Sequence, residues 1–137
     1  MTITPNEIET IREAVDQAFG NVLTFGLGLG YYAYMISEQD HVDSITVVEM
    51  NEDVIELFNK YVLPQFRNAG KIKIIKADAF EYAEQHLTPG KYDFVFTDLW
   101  HDVSDGIDMY LRMKKFEQQS PDTIFTYWIE KSILCYL

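Results

Sequence analysis

The stretch that decides the fold is Val22-Leu23-Thr24-Phe25-Gly26-Leu27-Gly28-Leu29-Gly30-Tyr31. Its first four residues are apolar or β-branched, as in a strand that is buried on both faces of a parallel sheet. Gly26 follows at once, and glycine permits a sharp turn and leaves space for a ligand beside the backbone. Gly28 and Gly30 then lead into a helix, whose first N–H groups favour a carboxylate or phosphate. The stretch therefore predicts a strand, a ligand-binding loop and a helix.

Strands and helices alternate on both sides of this stretch. An N-terminal helix starts with Thr4 as N-cap and Pro5 as first residue, and Gly20 is expected to end it. Further strands are predicted at residues 44–49, 71–75, 92–98 and 123–127, and further helices at 31–39, 52–61, 78–86 and 106–118. This alternation is typical of βαβ units and predicts an α/β fold, a parallel sheet of about five strands with helices on both faces.

Composition limits the kinds of partner. The chain has 137 residues, of which 47% are hydrophobic, which suits one folded domain. Its net charge of -11 repels phosphate backbones, so we expect no nucleic-acid partner. No run approaches the roughly 20 apolar residues of a membrane span, and no signal peptide is visible, so we expect no membrane partner and a cytoplasmic location. With Cys135 as its single cysteine, the chain gives no cysteine zinc cluster, and we expect no metal.

An acid at the end of the second strand supports a nucleoside ligand. Glu49 comes 19 residues after Gly30, the spacing at which an acid accepts both hydroxyls of a ribose in dinucleotide folds. The residues alone leave two cofactors open. Gly28 to Ala33 fit the G-x-G-x-x-A pattern of nicotinamide dinucleotides, whereas counting from Gly26 gives G-x-G-x-G.

Four motifs in order resemble those of class I S-adenosylmethionine-dependent methyltransferases. They are Val22 to Gly30, Val47-Val48-Glu49-Met50-Asn51, Lys76-Ala77-Asp78-Ala79-Phe80 and Tyr92-Asp93-Phe94-Val95-Phe96-Thr97-Asp98. The second and fourth are similar to the spermidine-synthase branch in particular. The resemblance implies a Rossmann-like fold, with residues 1–20 as an N-terminal helix and 21–137 as the S-adenosylmethionine-binding domain. It also implies seven strands for the full fold, and we expect this chain to lack the final hairpin.

The resemblance assigns a cofactor contact to eight positions. They are Gly26, Gly28 and Gly30 under the methionine and ribose, Glu49 on the ribose hydroxyls, Met50 on the adenine face, Asp78 and the Ala79 N–H at the adenine edge, and Asp98 beside the transferred group. Asp78 is also in the position of a helix N-cap. The family often has an acid two residues before the first glycine, where this chain has Thr24.

The run Asp98-Leu99-Trp100-His101-Asp102 carries the candidate chemistry. In polyamine synthases this strand ends in D-x-(S/T)-D-P, and here His101 stands at the second acid. Catechol-type O-methyltransferases have D-H-W-K-D, in which the lysine is the base. His101 could take that role because its ordinary pKa lies near neutrality. Asp98 and His101 are therefore the candidate catalytic residues.

These features predict a methyltransferase, or the cofactor-binding part of one, that uses S-adenosylmethionine and a small-molecule acceptor. The alternatives are a spermidine-synthase-like aminopropyltransferase, a non-catalytic S-adenosylmethionine- or nucleotide-binding module, and a nicotinamide dehydrogenase. Trp100, Tyr127 and Trp128 line an acceptor pocket in one interpretation and belong to the core or an oligomer surface in the other. An exposed edge on the fifth strand would favour a homodimer.

Overall fold

The computed structural model describes residues 5–27, 30–100 and 103–135. Its five strands are all parallel and form one sheet in the order β3-β2-β1-β4-β5. The strands are β1 (Gly20–Phe25), β2 (Val42–Glu49), β3 (Ile72–Lys76), β4 (Phe94–Thr97) and β5 (Ile124–Tyr127). The helices are α1 (Pro5–Gln17), α2 (Tyr31–Ser37), α3 (Glu52–Leu57), α4 (Ala79–His86), α5 (Val103–Lys114) and α6 (Glu130–Leu134). The predicted Rossmann-like α/β fold is confirmed.

The strand order reverses between β1 and β4. From β1 the chain steps outward to β2 and β3, then returns to place β4 on the other side of β1. Phe25, the last residue of β1, pairs with Val48 on one side and Thr97 on the other. Open α/β sheets bind their ligands beyond the carboxyl ends of the strands at such a reversal. The topology therefore puts the expected crevice at the glycine-containing loop.

Aromatic contacts show that helices cover both faces of the sheet. The Phe96 ring lies 4.4 Å from that of Tyr32 on α2, and the Phe25 ring lies 6.4 Å from that of Tyr82 on α4. Successive side chains of a strand alternate between faces, and Phe25 pairs with the residue after Phe96, so α2 and α4 lie on opposite faces. The Tyr32 hydroxyl also donates to the carbonyl of Ala14 at 3.0 Å, which attaches α1 to α2.

The prediction that Gly20 ends the first helix is wrong. The helix ends at Gln17, and Gly20 begins β1 with a φ of +65°. A Cβ on Gly20 would lie 2.1 Å from Oδ2 of Asp93, which accepts a hydrogen bond from the Asn21 N–H at 2.8 Å. Glycine is needed here because the Asp93 carboxylate lies against the backbone. Thr4, the predicted N-cap, lies outside the described residues.

Two further differences concern helices. The helix predicted for 52–61 is α-helical only to Leu57 and continues as a π-turn, Phe58–Val62, and then a 3-10 turn, Leu63–Gln65. After β5 the chain forms α6, which the sequence did not predict, and its Ile133 is fully buried. Within the described ranges, no helix is long and apolar enough to cross a membrane.

The carboxyl end of β4 contains a buried hydroxyl group without a hydrogen-bond partner, Oγ1 of Thr97. Burying an unpaired hydroxyl costs about 1–3 kcal/mol. Valine keeps the branched shape and removes the polar atom, so we expect Thr97→Val to raise the free energy of unfolding by about 1 kcal/mol in urea denaturation.

Thr126→Val is the matched control, because Oγ1 of Thr126 donates to the Val95 carbonyl at 2.9 Å. That variant should lower the free energy of unfolding by about 1 kcal/mol. Equal destabilisation by the two substitutions would contradict the assignment of an unpaired hydroxyl to Thr97.

Candidate functional site

Four candidate residues lie at the carboxyl ends of neighbouring strands. Glu49 is the last residue of β2, Gly26 and Asp98 directly follow β1 and β4, and Asp78 follows β3 by two residues. The strand order places them in the sequence Asp78, Glu49, Gly26, Asp98 along one edge of the sheet. Three strand spacings separate the outer two, about 14 Å. A ligand that contacts all four must therefore be elongated.

The Glu49 carboxylate joins two of the loops at this edge. Its Oε1 accepts from the Leu27 N–H at 2.9 Å, in the loop after β1, and its Oε2 accepts from the Asn51 N–H at 3.1 Å, before α3. A carboxylate oxygen has two lone pairs, so each oxygen keeps an acceptor position after making its backbone bond. Glu49 can thus hold the loops and still accept a pair of hydroxyls. Sequence reasoning found the acid but not its bridging of the loops.

Asp78 is the N-cap of α4. Its Oδ1 accepts from the N–H groups of Phe80 and Glu81, at 3.0 and 3.1 Å, and Oδ2 receives neither bond. Ala79 is the first residue of α4, where N–H groups have no partner within the helix. Met50, between Glu49 and the Asn51 N-cap of α3, is 64% exposed. The cap interpretation of Asp78 is confirmed and leaves its second oxygen for another donor.

Two glycines of the loop are required by packing within the protein. Gly26 has a φ of +95°, and a Cβ there would lie 2.1 Å from the carbonyl oxygen of Asp98. The Asp98 N–H donates to the Phe25 carbonyl at 2.9 Å, so the loops after β1 and β4 lie in direct contact. Gly30 has a φ of +80°, and its Cβ would lie 2.5 Å from the Phe58 ring. Gly28 lies outside the described residues.

A small cavity adjoins Asp98, between the sheet, α1 and α2. Its volume is about 10 Å³, room for about one water molecule. Among the described residues that line it, Asp98 is the charged one, beside Thr24, Tyr31 and Ile11. The cavity thus lies at the carboxyl ends of β1 and β4, at the same edge of the sheet as Glu49.

The aromatic residues considered as an acceptor pocket belong to the core. Trp100, Tyr127 and Trp128 are buried, and Nε1 of Trp100 donates to the Trp128 carbonyl at 3.0 Å. Burial raises the pKa of Tyr127, and the hydrogen bond from its hydroxyl to Glu117 raises it further. Tyr127 thus stays protonated as a donor inside the fold.

His101, the candidate base, lies outside the described residues. Among the residues that are described, no three His, Cys, Asp or Glu side chains cluster as a metal site would require.

The family model for the spermine/spermidine synthase domain matches residues 8–131, most of the sequence. The chain belongs to the spermine/spermidine synthase domain family. The predicted resemblance to the spermidine-synthase-like branch is thereby confirmed. No curated protein matches the chain in sequence.

Solved structures with the same fold include synthases and methyltransferase-like proteins. Spermidine synthase from Thermotoga maritima is 15% identical with a TM-score of 0.60, and a spermidine synthase in complex with the transition state analogue AdoDATO is 17% identical with a TM-score of 0.59. Each match covers 93% of this chain and 45% of the other. TrmK from M. capricolum, in complex with S-adenosyl-homocysteine, is 13% identical with a TM-score of 0.61 and covers 80% of this chain and 47% of its own. At these identities the likeness shows the fold, and the chain spans less than half of each structure.

The contact between Gly26 and Asp98 predicts an unusually costly alanine substitution. Gly26→Ala adds strain of about 1–2 kcal/mol for a side chain at positive φ, and about 1–3 kcal/mol for the clash with the Asp98 carbonyl. We expect the free energy of unfolding to fall by the sum of the two, measured in urea.

Gly90→Ala separates these causes. Gly90 also has a positive φ, +82°, but an added Cβ there would meet no described atom within 4 Å. The free energy of unfolding of Gly90→Ala should therefore fall only by the strain contribution of about 1–2 kcal/mol. Equal losses in the two variants would show that the loops after β1 and β4 are not in close contact.

Proposed function

We propose that the chain binds S-adenosylmethionine along the carboxyl ends of β3, β2, β1 and β4. In this proposal it forms the cofactor-binding part of a methyltransferase that acts on a small molecule. The observation that carries the proposal is the Glu49 carboxylate, held from both sides by the N–H groups of Leu27 and Asn51. An acid fixed in this way, beside a glycine-containing loop, presents two oxygens at a defined place for the two hydroxyls of a ribose.

The remaining groups suit the other parts of this cofactor. Oδ2 of Asp78 would accept from the adenine amino group, the Ala79 N–H would donate to a ring nitrogen, and the exposed side chain of Met50 would cover the adenine face. The glycine-containing loop would lie under the ribose and methionine. Two proteins with this fold carry related molecules, S-adenosyl-homocysteine in TrmK and AdoDATO in a spermidine synthase, and this supports the assignment.

Asp98 is the residue of this set placed to act on the reaction. When bound, the cofactor supplies a methyl group activated by a sulfonium. Asp98 would orient the acceptor, because its backbone is fixed against Gly26 and by the hydrogen bond to Phe25. Fixed positioning alone can contribute several kcal/mol to such a transfer. His101 is proposed from sequence as the base that takes the proton of the acceptor.

Aminopropyl transfer is the second candidate, and two observations favour it. The family match is to the spermine/spermidine synthase domain. In addition, the charged residue among the described lining of the cavity is the acid Asp98, which repels a cofactor carboxylate. Decarboxylated S-adenosylmethionine lacks that group. Thr24 stands in the same cavity, at the position where related methyltransferases often have an acid.

Calorimetric titration of the full chain separates these candidates. The titrants are S-adenosylmethionine, its decarboxylated form, S-adenosyl-homocysteine and NAD. Binding of S-adenosylmethionine and S-adenosyl-homocysteine supports the methyltransferase proposal, and tighter binding of the decarboxylated form supports aminopropyl transfer. Binding without turnover of any acceptor tested would indicate a non-catalytic module. Binding of NAD alone would refute the proposal.

Replacing Glu49 by glutamine tests the residue on which the proposal rests. The amide nitrogen cannot accept a hydrogen bond, so Glu49→Gln loses a bond from Leu27 or Asn51 and an acceptor for ribose. We expect the free energy of unfolding to fall by about 1–3 kcal/mol. Affinity for S-adenosyl-homocysteine should fall about 10- to 100-fold in calorimetry.

Glu52→Gln is the control, because the Glu52 side chain is 65% exposed and forms a surface ion pair with Lys76 at 3.2 Å. Exposed pairs contribute about 0–1 kcal/mol, so stability and affinity should hardly change. A Glu49→Gln protein that loses stability but keeps full affinity would restrict Glu49 to joining the loops.

A further inference from the structure

We infer that the π-turn Phe58–Val62 positions the glycine-containing loop for its ligand, with Phe58 and Val62 acting through Gly30. This inference rests on the proposed function, since the ligand is the one proposed above. Phe58 and Val62 are positioning residues, not catalytic ones. The sequence gives no sign of this role, because Val54, Phe58 and Val62 follow one another at intervals of four residues, as on one face of a continuous helix.

The π-turn changes the direction of the chain after α3. The Leu63 N–H donates to the carbonyl of Phe58, five residues earlier, instead of to that of Asn59 as in an α-helix. One extra residue is thereby accommodated, and the residues that follow are rotated by about 100°. Such turns are rare, and they are frequent at functional sites. Here the π-turn lies directly beside the loop after β1.

Two side chains of the π-turn contact Gly30. A Cβ on Gly30 would lie 2.5 Å from Cε2 of Phe58 and 3.5 Å from Cγ1 of Val62. The Gly30 backbone thus rests on the edge of a ring and a methyl group. Because Phe58 is buried and its ring packs edge-on against Phe66 at 5.6 Å, this support has little freedom to move. The π-turn therefore limits where the Gly30 backbone can lie.

The segment that follows the π-turn holds α2 along its length. The Phe66 ring contacts that of Tyr34 in the first turn of α2, with centroids 5.1 Å apart. At the other end of α2, Nδ2 of Asn68 donates to the Ser37 carbonyl at 3.0 Å, and Arg67 pairs with Glu38 at 2.7 Å. The helix that begins at the glycine-containing loop is therefore held by residues 58–68 at both ends.

Two hydrogen bonds connect Gly30 to Glu49, the acid proposed to bind the ribose. The Gly30 N–H donates to the Leu27 carbonyl at 2.9 Å, and the Leu27 N–H donates to Glu49 at 2.9 Å. A shift of Gly30 away from Phe58 would therefore strain the hydrogen bond to Leu27 and, through it, the bond between Leu27 and Glu49. Changes in the π-turn should therefore alter ligand affinity in addition to stability.

Deletion of Asn59 is the direct test, with Asn59→Ala as the control of unchanged length. Asn59 is exposed within the π-turn. Its removal would place Leu63 four residues after Phe58, so we expect an α-helical turn there. We expect the deletion to weaken S-adenosyl-homocysteine binding at least tenfold and to speed hydrogen exchange at the amides of Gly30 and Tyr34. Asn59→Ala should leave both unchanged. A deletion variant with wild-type affinity and exchange would overturn the inference.

A second pair of variants decides the matter if the deletion does not fold. Phe58→Leu removes the ring that supports Gly30. Phe94→Leu removes a buried ring at the amino end of β4, and the candidate site lies at the carboxyl end. Both should lower the melting temperature, but only Phe58→Leu should lower the affinity about tenfold. Equal affinities would overturn the inference. If the wild-type chain binds no S-adenosyl compound, the proposed function fails, and exchange at Gly30 in the ligand-free variants still tests the positioning role.

Discussion

The carbonyl oxygen of Asp98 lies where a side chain on residue 26 would begin, at 2.1 Å from an ideal Cβ. This contact joins the loops on either side of the point where the strand order reverses, and the Asp98 N–H reinforces it by donating to Phe25. Only glycine at position 26 permits it. This approach of two backbones fixes where the glycine-containing loop lies. The loop in turn contacts the Glu49 carboxylate through Leu27, and the small cavity beside Asp98 lies next to it.

Local patterns predicted the elements, and long-range contacts decided what they do. Apolar and β-branched runs predict all five strands, and the prediction that the glycine-containing loop leads into a helix is confirmed by α2. The reason for Gly26 lies 72 residues along the chain at Asp98, and no periodicity records such a neighbour. The same holds for Gly20, which looked like a helix end because its partner Asp93 is distant in sequence.

The continuous stripe from Val54 through Phe58 to Val62 explains why the π-turn was not predicted. A pattern of apolar positions fixes which side chains point inward but is insensitive to whether each N–H bonds four or five residues back. The distinction matters because Phe58 and Val62 support Gly30. The burial of the aromatic residues after β4 and β5 likewise could not be predicted from the sequence. The aromatic residues after β4 and β5 could be read as a pocket or as core, and Trp100 and Trp128 are buried and joined by a hydrogen bond.

Glu49 stabilises the fold whether or not a ligand is present, because both of its oxygens accept from backbone N–H groups. Selection for folding alone would therefore retain this acid in a relative that binds no ligand. The presence of the acid in a related sequence is thus weak evidence that the related protein is active. When binding is lost during divergence, we expect the first substitutions at positions that no loop depends on, such as the exposed Met50.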